Sequence, residues 1–222
     1  MTSIYVYFKD EPRVQRKYKS FKELLELENY DDITHMYCDH CILRKLPDRL
    51  PESLDYLDCS YSGIISIPSL PKNLKQLFCS HNKLTTLPKL PETLELLDCY
   101  DNKIETLPEL PETLVELDCS YNNLSILPKI PESLQSLSCF WTNISSLELP
   151  DSTIFVHITG TPIHKYIGTY FQGNIQKYLM FQEKIKKIFI YKIENWFFEC
   201  KYNPEYSYCK KQLMDQYNEL YY

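Results

Sequence analysis

The phrase LPETLELLDCYDNKIET at residues 90–106 constrains this chain more than any other stretch. LPKNLKQLFCSHNKLTT at 70–86 precedes it by 20 residues, and LPETLVELDCSYNNLSI at 110–126 follows it by 20. A segment this short cannot bury an apolar face alone. Repetition at a fixed period solves the problem by stacking, each copy covering the next in a quasi-one-dimensional solenoid. Ile33, Leu54, Leu74, Leu94, Leu114 and Leu134 open successive copies. A degenerate last copy runs through Val156, Ile158, Thr161 and Ile163, which makes about seven turns.

The spacing L-x-x-L-x-C-x-x-N-x-L is that of a leucine-rich repeat. Its columns have physical readings. Leu97 and Cys99 and their equivalents alternate, so a short strand points them inward together. Cys38, Cys59, Cys79, Cys99, Cys119 and Cys139 then form a buried thiol column, cysteine being small and tolerant of full burial. Asn82, Asn102 and Asn122 are expected to form an internal ladder that satisfies backbone groups at the bend after each strand. Cys41, Ser62, Thr142 and Thr161 take that position towards the ends, where the ladder should weaken. The other half of each turn carries proline pairs: Pro68 and Pro71, Pro88 and Pro91, Pro108 and Pro111, Pro128 and Pro131. Proline fixes φ and drives the preceding residue to extended geometry, which excludes a regular α-helix there. The expected fold is a solenoid with short parallel strands on its concave face and extended, polyproline-like segments on its convex side.

Both ends need covers, because an open solenoid end exposes apolar stacking surface. Residues 1–32 read as an N-terminal cap, with a strand over 3–8 and a short helix opened by the capping box Ser20…Glu23. Residues 33–163 hold the repeats. Residues 164–222 read as a helical C-terminal cap. One helix there is capped by Asn174, with an apolar face through Ile175, Leu179, Ile185, Phe189, Ile193, Trp196 and Cys200. Another opens at Asn203-Pro204, with Tyr206, Cys209, Leu213 and Leu220 on one side.

Charge excludes some functions. The chain carries 24 Lys/Arg and 30 Asp/Glu, a net −6, which argues against a nucleic-acid partner. The acid is concentrated in the repeats, with 17 Asp/Glu against 9 Lys/Arg over 33–163. The apolar run ending at Lys9 is too short for a signal peptide, and no stretch approaches a membrane span. With six of nine cysteines at one packing position, free thiols in a reducing cytoplasm are the expectation, and no disulfides.

LPELPETLVEL at 107–117 resembles the short leucine-rich repeats of secreted effectors from enteric bacteria. Cysteine at the sixth position, as in LDCSYN at 117–122, looks more like the repeat proteins of amoeba-infecting giant DNA viruses. NWFFECKYNPEYSYC at 195–209 is similar to a tail that recurs in proteins of those viruses. Either resemblance implies a partner-binding protein; the viral one implies action in host cytoplasm, or a place in the virion. Some bacterial relatives add a ubiquitin-ligase domain with a Cys-x-Asp loop. Here Cys200 is followed by Lys201-Tyr202, and the one Cys-x-Asp, Cys99-Tyr100-Asp101, falls at an inward position.

Other chemistry competes poorly with packing. Cys38-Asp39-His40-Cys41 with His35 looks like half a zinc site, but both thiols fall in explained columns and no second Cys/His pair is near. Cys200 and Cys209 sit on apolar helical faces without a histidine beyond His164. The lysines from Lys184 to Lys192 are flanked by Glu183 and Glu194, as on a solvated helix face. No cofactor, metal or catalytic residue is therefore expected.

The concave face is the candidate site. Its central column is Tyr37, Asp58, Phe78, Asp98, Asp118, Ser138 and His157. Next comes Ser60, Ser80, Tyr100, Ser120 and Phe140, then His40, Tyr61, His81, Asp101, Tyr121 and Trp141. An acidic stripe thus lies beside an aromatic one. Aspartates suit any soluble surface, but runs of Tyr, Phe and Trp are the residues that anchor interfaces. The expectation is a non-enzymatic interaction module that takes a protein or peptide of basic character. The contacts would be Asp58, Tyr61, Phe78, His81, Asp98, Tyr100, Asp118, Tyr121, Phe140 and Trp141. The alternative is an assembly component that self-associates through its helical tail.

Overall fold

The computed structural model of the chain describes residues 3–184. The chain divides into two units, 1–173 and 174–222. The first is built on one sheet. Strand β1 (Ile4–Phe8) pairs antiparallel with β2 (Arg16–Tyr18) on one side and β3 (Ile33–Tyr37) on the other. From β3 onward every pairing is parallel, through β4 (Tyr56–Asp58), β5 (Gln76–Phe78), β6 (Leu96–Asp98), β7 (Glu116–Asp118), β8 (Ser136–Ser138) and β9 (Phe155–His157). The register is that of the repeat: Leu57 lies beside Leu77, Leu77 beside Leu97, Leu97 beside Leu117 and Leu117 beside Leu137.

The apolar columns form the interior. Leu54, Leu74, Leu94, Leu114 and Leu134 are fully buried, as are the six strand cysteines and Ile64, Leu84, Ile104, Leu124 and Ile144. A fully buried aliphatic side chain stabilises by about 1.5–3 kcal/mol, so each coil contributes only in company with its neighbours. The proline arcs are extended, without helix, between 65 and 71, 85 and 91, 105 and 111, and 125 and 131. Leu87, Leu90, Leu107, Leu110 and Ile130 plug the core from that side. Each arc ends in a tight turn in which the leucine N–H donates to a proline carbonyl, as from Leu94 to Pro91 at 3.1 Å and from Leu114 to Pro111 at 3.0 Å.

The asparagine ladder forms and fades at the ends. Asn102 Nδ2 donates to the carbonyls of Cys79, Cys99 and Tyr100, and its Oδ1 accepts from Leu84 N at 3.0 Å. Asn82 and Asn122 repeat the pattern. Thr142 manages a single donation, to Cys139 O at 2.7 Å. A second ladder, invisible to column reading, runs along the turns: Thr93 Oγ1 donates to Lys72 O and Leu74 O, Thr113 Oγ1 to Glu92 O and Leu94 O, and Ser133 Oγ to Leu114 O.

At the first end, β1 covers β3, and helix α1 (Phe21–Leu25) is capped by Ser20, whose Oγ accepts from Glu23 N. At the other, a helix arrives earlier than expected. Helix α2 (Pro162–Phe171) begins twelve residues before Asn174, with Thr161 as N-cap and Pro162 at its first position. Gln172 ends it in the left-handed region. In the second unit a helix over 175–184 is capped by Asn174, whose Oδ1 accepts from Lys177 N at 3.0 Å. The expected helical face from Ile185 to Cys200, the helix from Asn203 and both tail cysteines lie outside the described residues. Among the described residues no helix is long and apolar enough to cross a membrane.

Candidate protein-binding face

What shapes the face is the backbone just beyond each strand. The chain must leave the sheet there and turn its ladder residue inward. It does so through one residue with φ near +50°: His40, Tyr61, His81, Asp101, Tyr121 and Trp141, at +50° to +54°. Left-handed geometry is ordinarily left to glycine, and for other residues it costs about 1–2 kcal/mol. The stacked coils impose it. Each of these residues donates its N–H to a carbonyl of the next coil, as Tyr61 does to Ser80, His81 to Tyr100 and Tyr121 to Phe140. The seventh position is Gly160, at +78°. A Cβ there would lie 2.7 Å from Trp141 Cδ2, so this glycine is the bed on which the Trp141 ring rests.

In the left-handed column, side chains touch from His40 to Asp101 and again from Tyr121 to Trp141. His40 stacks on Tyr61 at 4.5 Å between centroids, and Tyr61 on His81 at 4.0 Å. His81 Nδ1 pairs with Asp101 Oδ2 at 2.7 Å. Tyr121 stacks on Trp141. Tyr61, Tyr121 and Trp141 are exposed, the tryptophan to 56%. Tyr100 and Phe140 lean against this row and towards each other, 6.0 Å apart, and Phe140 stacks on His157 at 4.4 Å.

The remaining expected residues, Asp58, Phe78, His81, Asp98, Tyr100, Asp118 and Phe140, are half-buried. The aspartates are more than free surface charge. Oδ1 of Asp58, Asp98 and Asp118 accepts the N–H two residues on, from Ser60, Tyr100 and Ser120, at 2.9–3.0 Å. Burial pushes the Asp98 carboxyl up from the usual range despite that bond, and Asp118 and Asp58 push it the same way. No lysine or arginine among the described residues pairs with any of the three.

Two expectations about the face need correction. Ser60, Ser80 and Ser120, expected on the exposed face, are only 7%, 8% and 0% exposed. Small side chains in a column beside large rings are roofed over. The face also carries a second aromatic cluster, outside the expected columns. Tyr56 packs on His35, Tyr37 and Phe78, and Tyr7 from β1 closes over His35 and Tyr37. The signal existed: a strand points both neighbours of an inward residue to the same outer face, so Tyr56 had to accompany Asp58.

The thiols are spoken for. Cys38, Cys59, Cys79 and Cys119 donate to carbonyls of the next strand at 3.3–3.5 Å, and Cys41 to Ser3 O at 3.3 Å. Burial raises every one of them, Cys139 to about 12. The zinc-like run is thereby split, with Cys38 and Cys41 inside and His35 and His40 stacked outside. Cys99, of the Cys-x-Asp sequence, is fully buried.

Four outward columns make up the strand face: residues 35, 37, 39 and 40 and their equivalents in the six later coils. They hold six acids, Asp39, Asp58, Asp98, Asp101, Glu116 and Asp118, and none of the nine Lys/Arg of the repeats.

Comparison with known proteins agrees with this architecture. The Leucine Rich Repeat family matches residues 113–137. No curated protein matches the chain. Among solved structures, YopM from Yersinia enterocolitica is 32% identical at a TM-score of 0.59, over 60% of this chain and 30% of that one. The leucine-rich repeat domain of a Shigella effector is 32% identical at a TM-score of 0.58, over 63% of this chain and 62% of that one. The functional domain of InlJ from Listeria monocytogenes, which includes a cysteine ladder, shares the fold at 24% identity and a TM-score of 0.55, over 63% of this chain and 34% of that one. This chain therefore spans less than two thirds of each. Its fold is a leucine-rich-repeat solenoid of short parallel strands, extended convex arcs and C-terminal helices.

Proposed function

We propose that the chain is a non-catalytic interaction module whose strand face binds a protein or peptide segment of basic character. Asp58, Asp98 and Asp118 supply the charge. Tyr61, Tyr100, Tyr121 and Trp141, with Phe78, His81 and Phe140, supply the apolar contact. One observation carries the reading: a face with six acids, rings in contact from His40 to Trp141 by way of Tyr100, and no lysine or arginine. Seven strands about 4.8 Å apart give a wall roughly 30 Å long, enough for a standard interface of about 800 Å² per partner. Identity of 30–32% to leucine-rich repeat effectors from Shigella and from Yersinia pestis supports an effector-like role. The cysteine-bearing repeat and the tail motif favour a viral source.

The test is affinity capture from host-cell extract with the wild-type chain and with the Tyr121→Ala/Trp141→Ala variant. Both side chains are surface-exposed, so the variant keeps its fold, checked by circular dichroism and urea midpoint. A partner lost on the double change supports the reading; a partner that survives it removes the strand face as the site.

A further inference from the structure

The Ser120 hydroxyl stands out on this face. The residue is fully buried, and its Oγ is the one buried hydroxyl among the described residues without a hydrogen-bond partner. Orphaned buried polar atoms are rare and cost about 1–3 kcal/mol, so each calls for an explanation. Its surroundings supply one. Ser120 shares its column with Tyr100 in the coil before and Phe140 in the coil after. Backbones two coils apart are separated by about 9.6 Å, twice the strand spacing. The two ring centroids are only 6.0 Å apart and tilted by 46°. The rings therefore lean together across the serine. Beside them is the one place on the face where two aspartates are register partners, Asp98 opposite Asp118, with Asp118 Oδ1 accepting from Ser120 N at 2.9 Å.

Resting on the reading of a basic partner, we propose that the Tyr100–Phe140 ring pair over Ser120, beside Asp98 and Asp118, is a subsite for an arginine side chain of that partner. A planar cation held between two rings needs van der Waals contact of about 3.5 Å on each face, a ring separation of about 7 Å. Parting the rings by about 1 Å provides it, and the backbone spacing leaves room. Guanidinium carries five donors in a fixed fork, stacks on aromatic faces and desolvates more readily than ammonium. Its fork answers the uncompensated carboxylate pair, and one remaining N–H answers Ser120 Oγ. A lysine ammonium has the charge but no plane to stack.

The experiment is an NMR titration of the full chain with Ac-Gly-Arg-Gly-NH2, and with the Lys and citrulline versions of the same peptide. The arginine peptide should shift the Ser120 amide and the Tyr100 and Phe140 ring resonances saturably, with a Kd at least fivefold below that of the lysine peptide. Citrulline, a neutral isostere, should leave them unmoved. Ser120→Ala should weaken arginine binding threefold or more while raising the urea midpoint, because it deletes an orphaned hydroxyl. Asp118→Asn keeps the acceptor for Ser120 N–H, so the fold persists, and should weaken binding tenfold or more. Lysine binding as tightly as arginine, arginine shifts elsewhere on the face, or unchanged binding to Ser120→Ala each overturns the subsite and leaves the basic-partner reading standing. That reading fails separately, in the capture experiment with Tyr121 and Trp141 changed.

Discussion

Replacing Asn102 by alanine measures what holds one coil to the next. The side chain is 8% exposed and engages four backbone groups. Three are carbonyls, and each keeps a partner without it. Cys79 O still accepts from Asn82 Nδ2, Cys99 O from Asn122 Nδ2, and Tyr100 O from His81 N. The fourth is the Leu84 N–H, which belongs to a fully buried residue and bonds to Asn102 Oδ1. Its orphaning dominates the cost, at about 1–3 kcal/mol, and the lost donations add about 1 kcal/mol more. Asn102→Ala should therefore destabilise by about 3 kcal/mol. Asn102→Thr keeps one donation, as Thr142 does naturally, yet reaches no acceptor to Leu84 N, so about 2 kcal/mol is expected. Thr142→Ala should lose about 1 kcal/mol, one net hydrogen bond. Urea unfolding by far-ultraviolet circular dichroism gives the three midpoints, with an unchanged m-value as the check that coils still melt together. Equal losses at 102 and 142 would refute the orphan argument, since both positions sit in the same column and, of the two, Asn102 alone supplies an acceptor to a buried N–H.

Gly160→Ala puts a Cβ where Trp141 lies and forces alanine to a φ of +78°. It should cost about 1–3 kcal/mol and shift Trp141 emission, read in a Trp196→Phe background; an unmoved spectrum means the ring does not rest there. Asp98 binds its proton more tightly folded than unfolded. Stability therefore falls as pH rises from the unfolded carboxyl range through the raised value, and the penalty persists above it. Asp98→Asn, which keeps the acceptor for Tyr100 N–H, should raise the urea midpoint at pH 7 and lose that advantage below the carboxylate range; a gain independent of pH contradicts this account. The strand thiols, buried and raised, should resist iodoacetamide in the native chain and react only on unfolding. Mass spectrometry of the peptides holding Cys79, Cys99 and Cys119 reads this, and rapid native labelling would place those sulfurs at the surface.

The interior was legible because burial and residue type coincide there. A leucine or cysteine every 20 residues has one explanation, and strand, register and thiol column follow from it. The prolines were equally plain, since their constraint is covalent. Thr161 shows how legibility fails. Its Oγ1 donates to Ile158 O, as a ladder residue should, and also accepts from His164 N, as an N-cap should. One residue closes the last coil and opens α2. Reading it only as a ladder position hid the Thr-Pro helix start and put the helix at Asn174. The roofing of Ser120 was unreadable for a different reason: it depends on how far two rings lean, and no spacing encodes that.

The left-handed column escaped reading because its residue types do not announce it. Histidine and aspartate are enriched at positive φ, but Tyr61, Tyr121 and Trp141 are not the residues such a bend favours. Six such positions at about 1–2 kcal/mol each cost about 6–12 kcal/mol, comparable to the whole net stability of a domain. Each N–H bonded to the next coil returns about 1 kcal/mol, and each ring pair about 0.5–1.5 kcal/mol. The column thus comes out near balance. Glycine would satisfy the same backbone bonds without the strain, as Gly160 does at the last coil. The fold alone therefore gives no reason for rings at the other positions. Their exposed surface gives one. A bend that glycine would serve more cheaply is occupied by the side chains best able to contact a partner, on a face of the coils that carries no lysine or arginine.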